Sequence, residues 1–319
     1  MYATNEWDKL KKVIVGTATG ARIPQMDKSL RCVNYADVAD VSGIQTGLYP
    51  QTVIDEANED LETFSDFLKG EGVEVLRPKQ NQEVEYYDYC PRDIVFVHDK
   101  LAIATPMPIR ARGRNYLNIV EHFPKLEAVF RHNNDDIYNE LCVGDPNTLA
   151  LHETAPMFDA ANIIRANEDV LYLVSNSGNY AGSEYLQERI SAKVHRLQGV
   201  YSYMHIDSTI AFLREGLMLL NPSRIKSVDV LPEPFRSWDV IWCPEPTDIG
   251  YYGDYCNASE WINMNLFSVS PELVALEENQ HNLRRELEAH GIECAMLPIR
   301  HQRTLGGGFH CVTLDLERA

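Results

Sequence analysis

A recurrence constrains the fold of this chain more than any single motif. Apolar strands arrive in hairpin pairs, with first strands beginning near residues 94, 162, 208, 263 and 311. The pairs are 94–97 with 101–104 around His98-Asp99-Lys100, 162–165 with 170–174 around Asn167-Glu168-Asp169, 208–213 with 217–220 around Arg214-Glu215-Gly216, and 263–269 with 273–276. Helices are expected at 115–122, 183–197 and 280–290, and closing strands at 126–130, 199–203, 240–242 and 292–297. The fifth copy, 311–316, has no second half of its own. The start of the chain supplies one: a strand at 11–16, a helix carrying Val53, Ile54, Ala57, Leu61, Phe64 and Leu68 on one face, and a strand at 73–76. Units that need neighbours to bury their faces close into a ring or a solenoid. Two chain ends that complete one unit argue for the ring. The expectation is a single α/β domain over 1–319, a five-bladed propeller of ββαβ modules closed by the N-terminal segment. An ordinary open α/β sheet is the plain alternative.

The polar residues just before each first strand carry the functional reading: Asp93, Asp159, His205 with Asp207, Ser259, and His310 with Cys311. In a ring, equivalent strand ends meet near the axis, so these groups should face one cavity. The last of them sits in TLGGGFHCVTLDL, residues 304–316, where Gly306 to Gly308 let the backbone approach a ligand closely and present one thiol beside an open loop. A thiol, one or two imidazoles, carboxylates and a hydroxyl fit a cysteine nucleophile with a histidine acid/base and an orienting carboxylate. Such a thiol works as a thiolate, so a cation or partner base is expected beside it. The surplus carboxylates suit a planar cation such as a guanidinium. Each residue also has a plainer role: a turn cap for Asp93, a loop anchor for Asp159, a core histidine at 205, an N-cap at Ser259 and a buried thiol at 311. Metal binding is the rival chemistry. It ranks lower because adjacent His310 and Cys311 should point to opposite faces of a strand, and no second thiol stands at ligand spacing. No metal and no cofactor are expected.

Charge narrows the partners. With 29 basic and 47 acidic residues the formal net charge is −18, which repels nucleic acid. Seven cysteines, an odd number with no C-x-x-C pair, argue against a zinc ribbon or a disulfide framework. There is no apolar signal core and no apolar run near ~18 residues, so the reading is a cytoplasmic protein without a membrane span. The long polar stretches 17–50 and 131–156 are expected to be lids, interfaces or arms. Arg110, Arg112 and Arg114 read as a solvated helix start or, alternatively, as cations for an anionic substrate.

Seven stretches together resemble the amidinotransferase family, the group that contains the arginine:glycine and arginine:inosamine-phosphate amidinotransferases. They are NEWDKLKKVIVGTATGARIP at the start, CPRD at 90–93, FDAANIIR at 158–165, MHIDST at 204–209, NPSR at 221–224, SEWINMN at 259–265 and LGGGFHCVTLDL at 305–316. DVLYLVSNSGNYAGSEYLQ and FRSWDVIWCPEPTDIGYYGD resemble the bacterial aminocyclitol-type enzymes more than the animal glycine enzymes. The resemblance implies a five-bladed propeller. It implies Cys311 as the nucleophile that takes the amidino group of L-arginine, His205 as acid/base and Asp159 as its paired carboxylate. Asp93 and Asp207 would grip the guanidinium, and Arg224 and Ser259 the amino-acid end of the donor. Where the family often has a second serine this chain has Ala258, which leaves one donor hydrogen bond open. Met204 and His310 fall on the substrate side. Ornithine would leave and an acceptor amine, an inosamine phosphate by preference, with glycine or lysine as alternatives, would take the group in ping-pong order. A homodimer is implied by family habit. A citrulline-forming hydrolase on the same fold and a silent guanidinium-binding protein are the competing readings.

Overall fold

The computed structural model describes residues 1–36, 38–79, 85–128, 138, 141, 149–201 and 203–319. In chain order, β1 (Leu10–Val15) leads to a short ribbon of β2 (Arg22–Ile23) and β3 (Gly47–Leu48) that brackets α1 (Lys28–Val33). Then come α2 (Gln51–Gly70) and β4 (Glu74–Leu76). Pro50 starts α2, where a missing N–H costs nothing. The helix buries the stripe that its period marks, from Val53 to Leu68, and ends where Gly72 takes φ +81°.

β5 (Val95–His98), β6 (Leu101–Ala104) and β7 (Glu127–Ala128) form the next unit. β8 (Ile163–Ala166), β9 (Asp169–Leu173), α3 (Tyr180–Gln187) and β10 (Lys193–Leu197) follow. β11 (Ile210–Arg214), β12 (Leu217–Leu220) and β13 (Asp239–Trp242) come next. β14 (Phe267–Ser270), β15 (Leu273–Glu277), α4 (His281–Ala289) and β16 (Glu293–Leu297) precede α5 (Gln302–Leu305) and β17 (Thr313–Arg318).

These strands make three-stranded sheets in the orders β5-β6-β7, β8-β9-β10, β11-β12-β13, β14-β15-β16 and β17-β1-β4, each with one antiparallel and one parallel pairing. The last sheet joins the two ends of the chain: Val13 faces Asp315 on one side and Val75 on the other. Its missing half is therefore supplied as expected.

Local expectations fail in several places. Residues 115–122 form one-turn helices rather than an α-helix. There the Asn115 amide is drawn to Tyr87 O (2.7 Å), a tertiary bond that competes with helical packing. In the third unit the helix stops at Gln187, whose side chain bonds Ala192 O and Val194 N–H, and the strand is 193–197 rather than 199–203. His195 and Leu197 point inward in strand alternation, a spacing that also continues the helical period before it. The expected strand 263–269 begins inside the one-turn helix Glu260–Met264, and only Phe267–Ser270 is strand. Of the expected strand 126–130, Glu127–Ala128 pairs and 129–130 lie outside the described residues.

Each first strand is entered through a tight turn, and these turns meet. Pro91–Asp93 touches Ala160–Asn162, which touches Ile206–Ser208, which touches Glu260–Met264. Glu260–Met264 touches α5, and β17 closes on Pro91–Asp93. Beneath them a buried ion network ties the units to the N-terminal segment. Glu6 takes a two-pronged bond from Arg165 (2.8 Å to each oxygen), and Arg165 also reaches Asp315 (2.5 Å). Arg92 and Arg318 bond Asp315 as well, at 2.6 and 2.7 Å. Pairing of this kind offsets the cost of burying the charges. Phe64 of α2 packs under the glycine loop against Phe309 (centroids 4.7 Å apart). Among the described residues no helix is long and apolar enough to cross a membrane.

Candidate active site

The thiol is held by its loop from both sides. α5 ends at Gly306, whose φ of +80° favours glycine. A Cβ on Gly307 would lie 2.5 Å from the Cys90 sulfur and 3.0 Å from Cys311 Cβ, so only glycine lets the loop pass between the two cysteines. From the motif SEWINMN, Asn265 grips the next turn. Its side-chain oxygen accepts the Cys311 N–H (3.1 Å) and its backbone oxygen accepts the His310 N–H (3.3 Å). The Asn265 amide nitrogen is buried without a hydrogen-bond partner. Sequence reasoning passed over Asn265, although it closes a motif that was singled out.

Cys311 and His310 do not diverge. Both precede β17 in a turn, so strand alternation does not apply to them. The thiol donates to Asp207 Oδ2 (3.1 Å), and His310 Nδ1 lies 3.1 Å from the same oxygen. His205 presents Nε2 to Asp159 Oδ2 (2.8 Å) and Nδ1 toward Asp93 Oδ1 (3.8 Å). The second oxygen of Asp93 is taken by the Arg112 guanidinium. That overturns both sequence readings of Arg112: its side chain is 2% exposed, neither solvated nor open to an anionic substrate. Arg110 and Arg114 are exposed and do not line the cavity described below.

Burial and neighbours set the charge state. Burial alone would lower His205, but the carboxylates of Asp93, Asp159 and Asp207 outweigh it and push the imidazole up to about 9. Burial raises Asp159 above the ordinary carboxylate value. It would raise Asp207 too, yet the His310 bond, the two imidazole charges and the thiol bond hold that group below the usual range. Cys311 moves the other way from expectation. A hydrogen bond with Cys90, burial, and the negative charge of Asp207 and Asp93 push the thiol well above its ordinary value. These shifts favour an imidazolium beside a neutral thiol, because the groups gathered around the sulfur are mostly anionic.

A cavity of about 360 Å³ opens over these groups, lined by Cys311, His205, Asp207, Met204, Arg224 and Ser259, with Ala258 beside them. Asp93 and Asp159 lie behind it, buried, and each keeps one oxygen without a hydrogen-bond partner. Buried acceptors are normally paired, so two open ones in a site point to a donor-rich ligand. His310 lies off this cavity and lines a separate, much smaller one with Glu6. Arg224 is set in place by Ser208 Oγ (2.8 Å), Thr209 Oγ1 (2.7 Å) and the Tyr201 ring (3.6 Å from its centroid). Ser259 begins the Glu260–Met264 turn without capping it. From the stretch 17–50, Asn34, Tyr35 and Val38 form part of the cavity wall. Most of 131–156 lies outside the described residues. Among the described residues no three His, Cys, Asp or Glu side chains are grouped to hold a metal ion.

No protein-family model matches the chain. It is 41% identical over 336 residues to inosamine-phosphate amidinotransferase 1 of Streptomyces glaucescens, covering 98% of this chain and 95% of that one. It is 31% identical over 348 residues to the L-arginine:L-lysine amidinotransferase of Pseudomonas savastanoi pv. phaseolicola, covering 98% and 93%. The solved structure of the inosamine-phosphate amidinotransferase StrB1 from Streptomyces griseus superposes with a TM-score of 0.94 at 39% identity, over 100% of this chain and 97% of that one.

Proposed function

The chain belongs to the amidinotransferase family, and on that premise we propose that it moves the amidino group of L-arginine to an acceptor amine through an amidino-cysteine at Cys311, releasing ornithine. The observation that carries this reading is the convergence of Cys311, His205 and Asp207 on one cavity, backed by buried, unpaired carboxylate oxygens at Asp93 and Asp159 behind it. A guanidinium supplies the donors those oxygens lack. Arg224 and Ser259 face the same cavity and suit the carboxylate and amine of the donor.

The chemistry follows from the charge state. A guanidinium bound by Asp93 and Asp207 brings positive charge beside the neutral thiol and favours its ionisation. Sulfur attacks the central carbon and an S–C bond forms. The C–N bond to the ornithine nitrogen breaks as the His205 imidazolium gives that nitrogen its proton. The thiol proton replaces the one His205 gave up, so the imidazolium is restored. Asp159 holds the ring in orientation throughout. In the second half-reaction the acceptor amine attacks the amidino carbon, and its proton passes by way of His205 to the departing sulfur. Such acid–base help is worth roughly 10²–10⁴-fold.

The acceptor is proposed to be an aminocyclitol phosphate of the inosamine-phosphate type, supported by 41% identity to that enzyme against 31% to the lysine enzyme. Met204 and the wall formed by Val33, Asn34, Tyr35 and Val38 would shape its side of the cavity. Further parts of the reading are a single domain folded as a five-bladed propeller, a homodimer and a cytoplasmic location. The cyclic contacts of the entry turns support the propeller, and family habit alone supports the dimer. Incubation with arginine, with and without inosamine phosphate, glycine and lysine, tests the function. Catalytic ornithine release is expected only with an amine present, and with inosamine phosphate best. Citrulline and ammonia from arginine alone would instead mean a hydrolase.

A further inference from the structure

We propose that Arg112 is a positioning residue for donor recognition, occupying one oxygen of Asp93 so that the other stays fixed and unpaired for the guanidinium of the substrate. This rests on the reading of Asp93 as a guanidinium-binding carboxylate.

Arg112 ends the one-turn helix Arg110–Arg112, which is not one of the entry turns. Its side chain and that of Asp93 are each 2% exposed. Burying a guanidinium is costly unless it is paired and bonded. Here Nη1 meets Asp93 Oδ2, Nη2 donates to Cys90 O (2.9 Å), and the Tyr87 ring lies 4.9 Å below the guanidinium carbon. The planar fork therefore spans the carboxylate and the backbone that begins the Pro91–Asp93 turn. A lysine ammonium, a point donor, cannot hold both in one geometry.

The consequence falls on the free oxygen. Asp93 Oδ1 is buried, has no hydrogen-bond partner and points at His205 Nδ1 from 3.8 Å. A carboxylate with neither oxygen tethered can rotate and satisfy itself elsewhere. With Oδ2 tethered, Oδ1 stays on the His205 side, where a substrate N–H would find it. Charge acts in the same direction. His205 and Arg112 are the cations facing Asp93, while Asp159 faces it as an anion and Tyr87 and Cys311 as neutral groups. Loss of Arg112 leaves the carboxylate cluster short of one compensating charge before the substrate arrives.

The test is direct binding of L-arginine by calorimetry in a Cys311→Ala background, where no transfer follows binding. Adding Arg112→Met is expected to weaken the Kd roughly tenfold to hundredfold, the size of a charge-assisted contact. Arg112→Lys is expected to recover part of that loss but not all of it. A merely structural role would lower the fraction of chains that bind while leaving the Kd of the folded ones unchanged, and an unchanged Kd in Arg112→Met overturns the proposal. If Arg112→Met does not fold, Arg112→Lys decides alone: a several-fold weaker Kd supports the proposal and an unaltered one refutes it. Ornithine release by the unmodified enzyme is scored separately. An enzyme that binds arginine in an Arg112-dependent way yet releases no ornithine would sink the transfer reading and leave this one standing.

Discussion

Asp159→Asn perturbs the proposed acid with little change in shape. Asp159 Oδ2 lies 2.8 Å from His205 Nε2, both groups are buried, and the asparagine oxygen still accepts the bond. What disappears is one negative charge among the three that lift the imidazole from 6.5 to about 9. An opposite charge at that range is worth roughly 1–3 pKa units, or about 1.4–4 kcal/mol of imidazolium stabilisation. The alkaline limb of kcat/KM for arginine, expected near 9 in the parent enzyme, should therefore move down by about 1–3 units. At a two-unit shift the protonated fraction at about pH 8 falls roughly tenfold. The assay is the initial rate of ornithine release with a saturating acceptor, followed across the neutral and alkaline range. Linkage gives a second reading with a fixed sign. Folding stabilises the protonated ring, so that stability is complete below 6.5 and lost as pH rises through about 9. Denaturant unfolding of the parent should weaken across that window more steeply than unfolding of the variant. An alkaline limb that stays in place, with only a lower plateau, would refute the assignment of His205 as the acid held by Asp159.

Gly307→Ala puts a methyl group 2.5 Å from the Cys90 sulfur, so the Cys311 loop must shift; ornithine release should fall roughly hundredfold, and Cys90→Ala should recover part of it. Glu6→Gln removes one of the two buried carboxylates that pair Arg165, leaving Asp315 to balance Arg92, Arg165 and Arg318, and should cost about 3–5 kcal/mol in urea unfolding. Arg224→Gln should raise KM for arginine roughly tenfold or more while barely changing the response to agmatine, which lacks the carboxylate that Arg224 is proposed to hold.

The fold was legible wherever hydrophobic period and turn chemistry agreed. The hairpins around Asp99, Asn167 and Gly216 stand where their turn residues put them, each with positive φ. The stripe on α2 and the joining of the chain ends through β1 and β17 were equally plain. Where the period was ambiguous it misled, as at Lys193–Leu197, whose alternation continued a helical run. The candidate site was legible because its residues precede equivalent strands. What escaped was everything supplied by tertiary contact. Arg112 looks like surface charge in the sequence and becomes buried only through Asp93, Cys90 and Tyr87. Asn265 acts through its backbone as well as its side chain, which no residue pattern announces. The upward push on the Cys311 thiol comes from Cys90, burial and Asp207, and both partners lie far away along the chain.

The most direct measurement is the intact mass of the enzyme after exposure to L-arginine with no acceptor, followed by peptide mapping. The account predicts one added amidino group per chain, located on Cys311, one equivalent of ornithine in solution, and loss of the added mass when inosamine phosphate is supplied. Unchanged protein mass with ornithine still formed, or the amidino group mapped to another residue, would contradict it.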